Sequence, residues 1–219
     1  EPSMPESSVP LRETHALTCV RGRARLFAGL DLAVGEGELL HVAGANGSGK
    51  PSLLRILCGL SEPESGELRW RGQPARSVRD DWRGGLLYLG HRNGVKDDFT
   101  PLENLHASAA IAGERIADTV LLEALVDIGL AARLDVPARS LSQGQRRRVA
   151  LARLLADTRS ALWILDEPFT ALDVRAVGVL AAAMAAHLRR GGALIYTTHQ
   201  PVDIDAERRQ TLNLDDYAC

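Results

Sequence analysis

The segment Gly44-Ala45-Asn46-Gly47-Ser48-Gly49-Lys50 decides the fold of this chain. It lies between an apolar run, residues 39–43, and a helix-like segment that begins at Ser52. The spacing G-x-x-x-x-G-K predicts a phosphate-binding loop between a strand and a helix. Glycines let successive backbone N–H groups face an anion, and the helix N-terminus adds partial positive charge. The segment therefore predicts nucleoside triphosphate binding, with Lys50 on the outer phosphates.

One position departs from this motif. The residue after the lysine is normally Ser or Thr, whose hydroxyl holds Mg²⁺ on the nucleotide, but here it is Pro51. Proline has neither a hydroxyl nor a backbone N–H, so the sequence predicts weakened hydrolysis. The residues of this segment that we predict to contact the nucleotide are Gly44, Ala45, Asn46, Gly47, Ser48, Gly49, Lys50, Pro51 and Ser52.

The composition is that of an ordinary soluble globular protein. Of the 219 residues, 45% are hydrophobic and 25% are charged. A formal net charge of -2 gives no indication of a general nucleic-acid or membrane surface. No apolar run has the length of a membrane span. If a membrane takes part in the function, another chain is expected to supply the spanning part.

Strand-like and helix-like segments alternate along the chain. Two segments, 17–20 and 26–32, predict an antiparallel layer, and four apolar segments predict buried parallel strands at 39–43, 86–89, 161–165 and 193–197. Helical periodicity fills most of the region between residues 101 and 156. The pattern predicts an α/β fold: a P-loop NTPase core with an antiparallel β layer and a helical subdomain.

We predict a single domain over residues 1–219. Its core is expected to consist of residues 14–90 and 158–219, and its helical subdomain of residues 91–157. Residues 1–13 are rich in Pro, Ser and Glu and predict a loose lead-in.

Two acids, Asp166 and Glu167, follow the apolar residues 162–165. A carboxylate at a strand end holds Mg²⁺ in many nucleotide sites, and a neighbouring one takes a proton from the attacking water. We assign Asp166 to the metal and Glu167 to the general base. Two acids at a solvated strand end are common on their own, but the phosphate loop upstream favours the catalytic assignment.

The segment Leu141-Ser142-Gln143-Gly144-Gln145 resembles the L-S-G-G-Q signature of ATP-binding cassette ATPases, with Gln143 in place of a glycine. Ser142 and Gly144 stand at a predicted helix start, where N–H groups and the serine hydroxyl are suited to bind a phosphate. In that family the signature completes the nucleotide site of the opposite subunit. The resemblance therefore implies an ATP-sandwich dimer of two copies of the chain.

Further segments are similar to the same family over about residues 14–200. His199 follows the last apolar strand, where the family has a histidine beside the γ-phosphate, and residues 170–173 resemble its D-loop at the dimer seam. The resemblance implies an ATP-binding cassette fold, ATP and Mg²⁺ as cofactors, and catalytic roles for Glu167 and His199.

Three consecutive arginines, residues 146–148, follow the signature. A nucleic-acid patch is one interpretation. The chain as a whole is not basic, so a solvated helix face is favoured and no nucleic acid partner is expected.

His91 indicates which group of ATP-binding cassette ATPases the chain resembles. Most cassettes have Gln at this position, and Leu86-Leu87-Tyr88-Leu89-Gly90-His91 resembles the ATP-binding subunit of the bacterial cytochrome c maturation system, a haem exporter. Phe169, within D-E-P-F-T-A-L-D, is also similar to that subunit. His91 is the second candidate metal ligand, beside Asp166.

This resemblance implies a peripheral subunit at the cytoplasmic face of the bacterial inner membrane, paired with an integral membrane subunit. It would couple ATP hydrolysis to haem export or to release of a haem chaperone. The sequence contains no Cys-x-x-Cys-His motif, so we expect no haem bound directly.

Two other interpretations remain. One is a nucleotide-binding scaffold whose hydrolysis is crippled by Pro51. The other is a chromosome-maintenance or repair ATPase, which would need a long coiled coil between the phosphate loop and the signature. Here about ninety residues without sustained heptads separate the two motifs, so this interpretation fits poorly.

Overall fold

The computed structural model describes residues 9–218, which contain nine strands and six α-helices. The strands are β1 (Arg12–Arg21), β2 (Ala24–Val34), β3 (Glu38–Ala43), β4 (Ser65–Trp70), β5 (Gln73–Pro74), β6 (Leu86–Leu89), β7 (Leu162–Leu165), β8 (Ala193–Tyr196) and β9 (Arg208–Asn213). The helices are α1 (Lys50–Leu57), α2 (Arg79–Gly84), α3 (Pro101–Ile111), α4 (Asp118–Asp127), α5 (Gln143–Ala156) and α6 (Val174–Arg189).

The predicted lead-in at residues 1–13 is wrong at its end. Residues 1–8 lie outside the described part, but Arg12 and Glu13 belong to β1. Arg12 is opposite Val34 of β2 on one side and Trp70 of β4 on the other. The strand begins early because it lies between two partners, which a polar sequence does not reveal.

The parallel sheet explains how distant motifs come together. Among residues 9–218 its strand order is β6-β7-β8-β3-β9, and each neighbouring pair is parallel. This confirms the expected parallel core. Because parallel strands end at the same edge of a sheet, the residues that follow β3, β7 and β8 lie near one another. These residues carry the phosphate loop, the acid pair and His199.

Both faces of the sheet are covered. Along β7, Leu162 and Ile164 pack toward α1 and the antiparallel layer, whereas Trp163 and Leu165 pack toward α5 and α6. This alternation is the period-two pattern of a strand buried on both faces. The sheet is therefore the rigid support on which the site is built.

The remaining elements form an antiparallel layer and a helical block. The layer has the order β2-β1-β4-β5, and its first two strands contain the segments 17–20 and 26–32 that predicted it. Three helices, α3, α4 and α5, lie between β6 and β7 in the chain and share an apolar cluster that includes Leu105, Leu125 and Val149. Helix α5 also packs on the sheet through Leu151 and Leu154, so it connects the helical block to the core.

Helix α2 and strands β5 and β9 are not predicted from the sequence. Strand β9 pairs with β3 over six residue pairs, yet its side chains are mostly exposed. It is an edge strand without an apolar face, so hydrophobic periodicity does not reveal it. Across residues 9–218, none of the helices combines the length and apolar character that a membrane crossing requires.

Candidate functional site

The phosphate loop connects β3 to α1 through backbone conformations that glycine favours. Gly44, Gly47 and Gly49 have φ angles of 144°, 88° and 103°. A Cβ atom on Gly49 would lie 3.1 Å from Leu26 Cβ, and one on Gly44 would lie 2.8 Å from Ser48 Oγ. Side chains at these two positions would therefore crowd the loop.

The amino end of α1 is open toward this loop. Within the described residues no side chain caps the helix at Gly49, so its first N–H groups remain available to an anion. Lys50 is buried and donates from Nζ to the carbonyl oxygens of Gly44, at 2.6 Å, and Ala45, at 3.0 Å. The Lys50 ammonium group therefore lies on the loop in which a phosphate group would bind.

A carboxylate supports the loop from the far end of the described chain. Ala45 N–H donates to both carboxylate oxygens of Asp215, at 3.1 and 2.9 Å. Asp215 belongs to a short 3-10 helix, Leu214–Tyr217, that directly follows β9. Because β9 pairs with β3, this helix is held beside the loop. Sequence reasoning missed Asp215, which belongs to no motif.

Pro51 fits the first turn of α1. It is the second residue of α1, in the first turn, where the backbone N–H has no partner inside the helix. The loop and helix fold around it, as expected, but the position supplies neither a hydroxyl nor an N–H group. Ser52, the next residue, is half-buried.

The acid pair directly follows β7 and is held by Thr197, which directly follows β8. Thr197 Oγ1 donates to Asp166 Oδ1 at 2.9 Å and accepts from Glu167 N–H at 3.0 Å. Asp166 and Thr197 are both buried. Sequence reasoning missed Thr197, although its place after a core strand, two residues before His199, was a usable signal.

Glu167 and His199 lie against each other. His199 Nε2 is 3.3 Å from Glu167 Oε1, with side-chain exposures of 58% and 21% respectively. Within residues 9–218, this glutamate oxygen accepts no hydrogen bond of good geometry. A half-buried carboxylate beside an imidazole is suited to accept a proton from a water molecule.

The site contains few protein ligands for a metal. No group of three or more His, Cys, Asp or Glu side chains with metal-binding geometry occurs among residues 9–218. Mg²⁺ is often held by one or two carboxylates together with substrate phosphates, and the free Oδ2 of Asp166 fits that pattern. His91 is exposed after β6, and its imidazole is a weaker Mg²⁺ ligand than a carboxylate. Its role as a ligand stays a prediction.

The signature segment caps α5. Ser142 Oγ accepts from Gln145 N–H at 3.2 Å, and Gln145 Oε1 accepts from Ser142 N–H at 2.9 Å. This is a capping box, which the S-x-x-Q spacing encodes. The Ser142 hydroxyl hydrogen stays free to donate to a phosphate.

The segment after the acid pair packs on the signature. A Cβ atom on Gly144 would lie 3.1 Å from the Ala171 carbonyl oxygen. Asp173 accepts from Arg148 at 2.7 Å. The signature and residues 170–173 therefore form one surface of the molecule.

The three arginines of α5 do not form a solvated helix face. Arg147 is 6% exposed and donates to backbone carbonyls at the ends of β6 and β7. Arg146 pairs with Asp97 at 2.8 Å, and Arg148 pairs with Asp173. The favoured interpretation is wrong for Arg147, because carbonyl oxygens from distant segments compensate its charge.

The loop between β6 and α3 is ordered by Asn104. This buried amide accepts from Lys96 N–H at 2.7 Å and donates to the carbonyl oxygens of Lys96, Phe99 and Thr100. Two acids of the same loop, Asp97 and Asp98, pair with Arg146 and Arg139. The loop is therefore fixed to the helical block.

Comparison with known proteins gives consistent results. The family described as "ABC transporter" matches residues 27–170. The "Cytochrome c biogenesis ATP-binding export protein CcmA" of Dechloromonas aromatica is 53% identical, over 92% of this chain and 98% of that protein. The protein of the same name from Escherichia coli K12 is 47% identical, over 92% of this chain and 95% of that protein.

Solved structures show the same fold. One described as "Structure of ATP binding subunit of ABC transporter" is 25% identical with a TM-score of 0.77, over 86% of this chain and 79% of that chain. Another, "Dimeric Structure of MJ0796, a Bacterial ABC Transporter Cassette", is 24% identical with a TM-score of 0.79, over 93% and 94% of the two chains.

Proposed function

This chain is an ATP-hydrolysing member of the ABC transporter family, and we propose that it serves a transporter complex for cytochrome c biogenesis. The observation that carries the hydrolytic part is the 3.3 Å approach of His199 to Glu167 at the sheet edge that also carries the phosphate loop. The names of the relatives from Dechloromonas aromatica and Escherichia coli support the biogenesis part.

The residues of the site divide the chemistry among them. The loop N–H groups and Lys50 bind the phosphates, and Glu167 accepts the proton of the attacking water. His199 contacts Glu167, and we propose that it also contacts the terminal phosphate. We propose that Asp166 holds Mg²⁺, which neutralises phosphate charge when it is bound.

We propose that two copies of the chain share their nucleotides. In this arrangement Ser142 and Gly144 of one copy face the phosphates on the phosphate loop of the other. The dimeric MJ0796 cassette supports such an assembly, and a related structure of that protein is described as a post-hydrolysis dimer bound to ADP and Pi. The exposed Val174, beside the D-loop segment, is a further candidate contact in this dimer.

We propose an integral membrane subunit as the second partner, which would hold this chain at the cytoplasmic face of the inner membrane. The transported or released species is proposed to be haem or a haem chaperone, on the resemblance of the His91 segment. The division into a core, residues 14–90 and 158–219, and a helical subdomain, residues 91–157, is kept as a proposal.

The two alternatives are not favoured. The relatives are named as ATP-binding export proteins, which gives no support to a scaffold without hydrolysis. A repair ATPase would need a coiled-coil insertion, and relatives close to full length match this chain without one.

One experiment tests the proposed function. ATP hydrolysis is measured for the purified chain alone and for its complex with the membrane subunit encoded for cytochrome c biogenesis in the same organism. We expect phosphate release that depends on Mg²⁺, and we expect its rate to change when the membrane subunit is bound. Failure of the two proteins to form a complex would reject the biogenesis assignment, and absence of hydrolysis in both samples would reject the hydrolytic one.

His199→Ala is expected to lower the turnover number at least about tenfold, because the Glu167 carboxylate loses its imidazole neighbour. The affinity for ATP is expected to stay within about twofold, since the phosphate loop is untouched. Turnover is measured by phosphate release and affinity by equilibrium titration. His106→Ala is the matched control, because His106 is a partly exposed histidine paired with Asp118 in the helical block. An equal loss of affinity would show that His199 is structural.

Reversing Asp97 and Asp98 to lysine is expected to weaken binding to the membrane subunit without changing ATP binding. Both acids are exposed on the loop between core and helical block, where charge influences partner choice. Co-purification with the membrane subunit is the measurement. The control reverses Asp203 and Asp205, which also form exposed pairs with arginines, at 3.0 and 3.2 Å. Unchanged co-purification, or equal loss in the control, contradicts this prediction.

A further inference from the structure

Arg147 is a buried cation that joins three segments of the chain. Its Nη1 donates to Gly90 O at 3.0 Å and to Asn93 Oδ1 at 3.1 Å. Its Nη2 donates to the carbonyl oxygens of Asp166, at 3.0 Å, and Glu167, at 2.9 Å. One guanidinium group therefore connects the end of β6, the loop after it and the end of β7.

The charge of Arg147 is compensated where it lies. Burial lowers the pKa of the guanidinium, whereas the nearby carboxylates of Asp166 and Glu167 raise it. Arginine stays protonated in proteins because its intrinsic pKa is so high. Four acceptors on a planar fork also fix the orientation of the side chain more strictly than a single ion pair would.

Glu167 needs such support because its backbone conformation is unfavourable. Its φ angle is 48°, in the left-handed region that residues with a Cβ atom rarely adopt. A conformation of this kind persists only where the surroundings hold it. Here Thr197 Oγ1 holds the Glu167 N–H, and Arg147, together with the Thr170 N–H, holds the Glu167 carbonyl. Both backbone polar groups of the proposed base are thus fixed by side chains.

Arg147 also stands at an informative place in the chain. It lies in the first turns of α5, the helix that the signature residue Ser142 caps. Its other contacts, Gly90 and Asn93, flank His91 in the loop that we propose to face the membrane subunit. A shift of α5 or of this loop would therefore act on the Glu167 backbone through one side chain.

We propose that Arg147 is a positioning residue for ATP hydrolysis. It keeps Glu167 in its active backbone conformation and connects that conformation to the signature helix and to the loop around His91. The inference rests on the proposed role of Glu167 as the general base. It goes beyond that role because it names the contact through which the helical block acts on the base.

The test compares three variants in the full chain and in a Pro51→Thr background. Arg147→Gln removes the fork, and Arg147→Lys keeps the charge with fewer directed donors. Arg153→Gln is the matched control, because Arg153 is a half-buried arginine of the same helix, α5. It lines a cavity with Leu86 and Asp157, near the opposite, amino ends of β6 and β7.

For Arg147→Gln we expect the turnover number to fall at least about tenfold while KM for ATP stays within about twofold. Arg147→Lys should be intermediate, and Arg153→Gln should keep the turnover number of its parent. Amide hydrogen exchange without nucleotide provides a readout independent of activity. Arg147→Gln should speed exchange in peptides that cover residues 89–94 and 163–169, and Arg153→Gln should not.

Three results would overturn the proposal. The first is unchanged turnover in Arg147→Gln. The second is unchanged exchange in both peptides, and the third is a loss of turnover that Arg153→Gln reproduces. Absence of hydrolysis in the unaltered and Pro51→Thr proteins instead rejects the proposed function, and Arg147 then has no hydrolysis to position. Failure of the inference and failure of the function are therefore distinguishable.

Discussion

Glu167→Gln is expected to lower ATP turnover at least about a hundredfold while ATP binding survives, because general base catalysis typically contributes that much or more. The amide has the shape of the carboxylate but does not take the proton of the attacking water. The backbone contacts of residue 167 with Thr197 and Arg147 do not depend on the side chain, so they remain. The phosphate loop is also unchanged.

A second consequence of this substitution is a lasting dimer. If two copies share their nucleotides, ATP that is bound but not hydrolysed holds them together. Light scattering after gel filtration with ATP and Mg²⁺ should show a dimer for Glu167→Gln and mostly a monomer for the parent. Glu207→Gln, at an exposed glutamate before β9, is the control. Turnover equal to that of the parent would show that another group is the base.

Pro51→Thr is expected to raise ATP turnover at least about tenfold. A lost metal ligand or oxyanion donor costs about 3 kcal/mol of transition-state stabilisation, which is roughly a hundredfold in rate. Threonine restores a hydroxyl and a backbone N–H at the second residue of α1, where the helix already has its normal path. Ser52 is rotated about 100° around the helix from this position, so it is a poor substitute.

The Mg²⁺ dependence makes this test specific. Turnover is measured over a range of Mg²⁺ concentrations for the parent and for Pro51→Thr. The variant should reach half-maximal turnover at a lower concentration, since the protein again supplies an oxygen near the metal. Pro74→Thr, at an exposed proline of β5, controls for the loss of a proline ring. A rate unaffected by threonine at position 51 would mean that Mg²⁺ is held in another way.

The parts of the fold that the sequence predicts are those that carry strong local patterns. The runs at 86–89 and 193–197 match β6 and β8, because a strand buried on both faces has a nearly continuous apolar sequence. Strand β9 has no such pattern, because its polar side chains are mostly exposed and its stability comes from pairing with β3.

The candidate site also contains residues that a local sequence pattern predicts and residues that no such pattern reveals. The phosphate loop and the acid pair are predicted from local motifs and His199 from the family resemblance, and the structure brings all three to one edge of the sheet. Thr197 and Arg147 were not found, because their roles depend on carbonyl and amide groups of other segments. The left-handed backbone of Glu167 also has no signal in a sequence where most such positions are glycine. Long-range contacts between polar groups therefore account for the residues that were missed.

The carboxylate of Asp215 connects the last described elements, β9 and the 3-10 helix that follows it, to the phosphate loop. Strand β9 places the 3-10 helix Leu214–Tyr217 beside Ala45. The N–H of Ala45 donates to both carboxylate oxygens of Asp215. Shortening the chain before Arg208 would remove both the edge strand and this carboxylate. Nucleotide binding is therefore expected to depend on an edge strand and a short helix that carry no nucleotide-binding motif of their own.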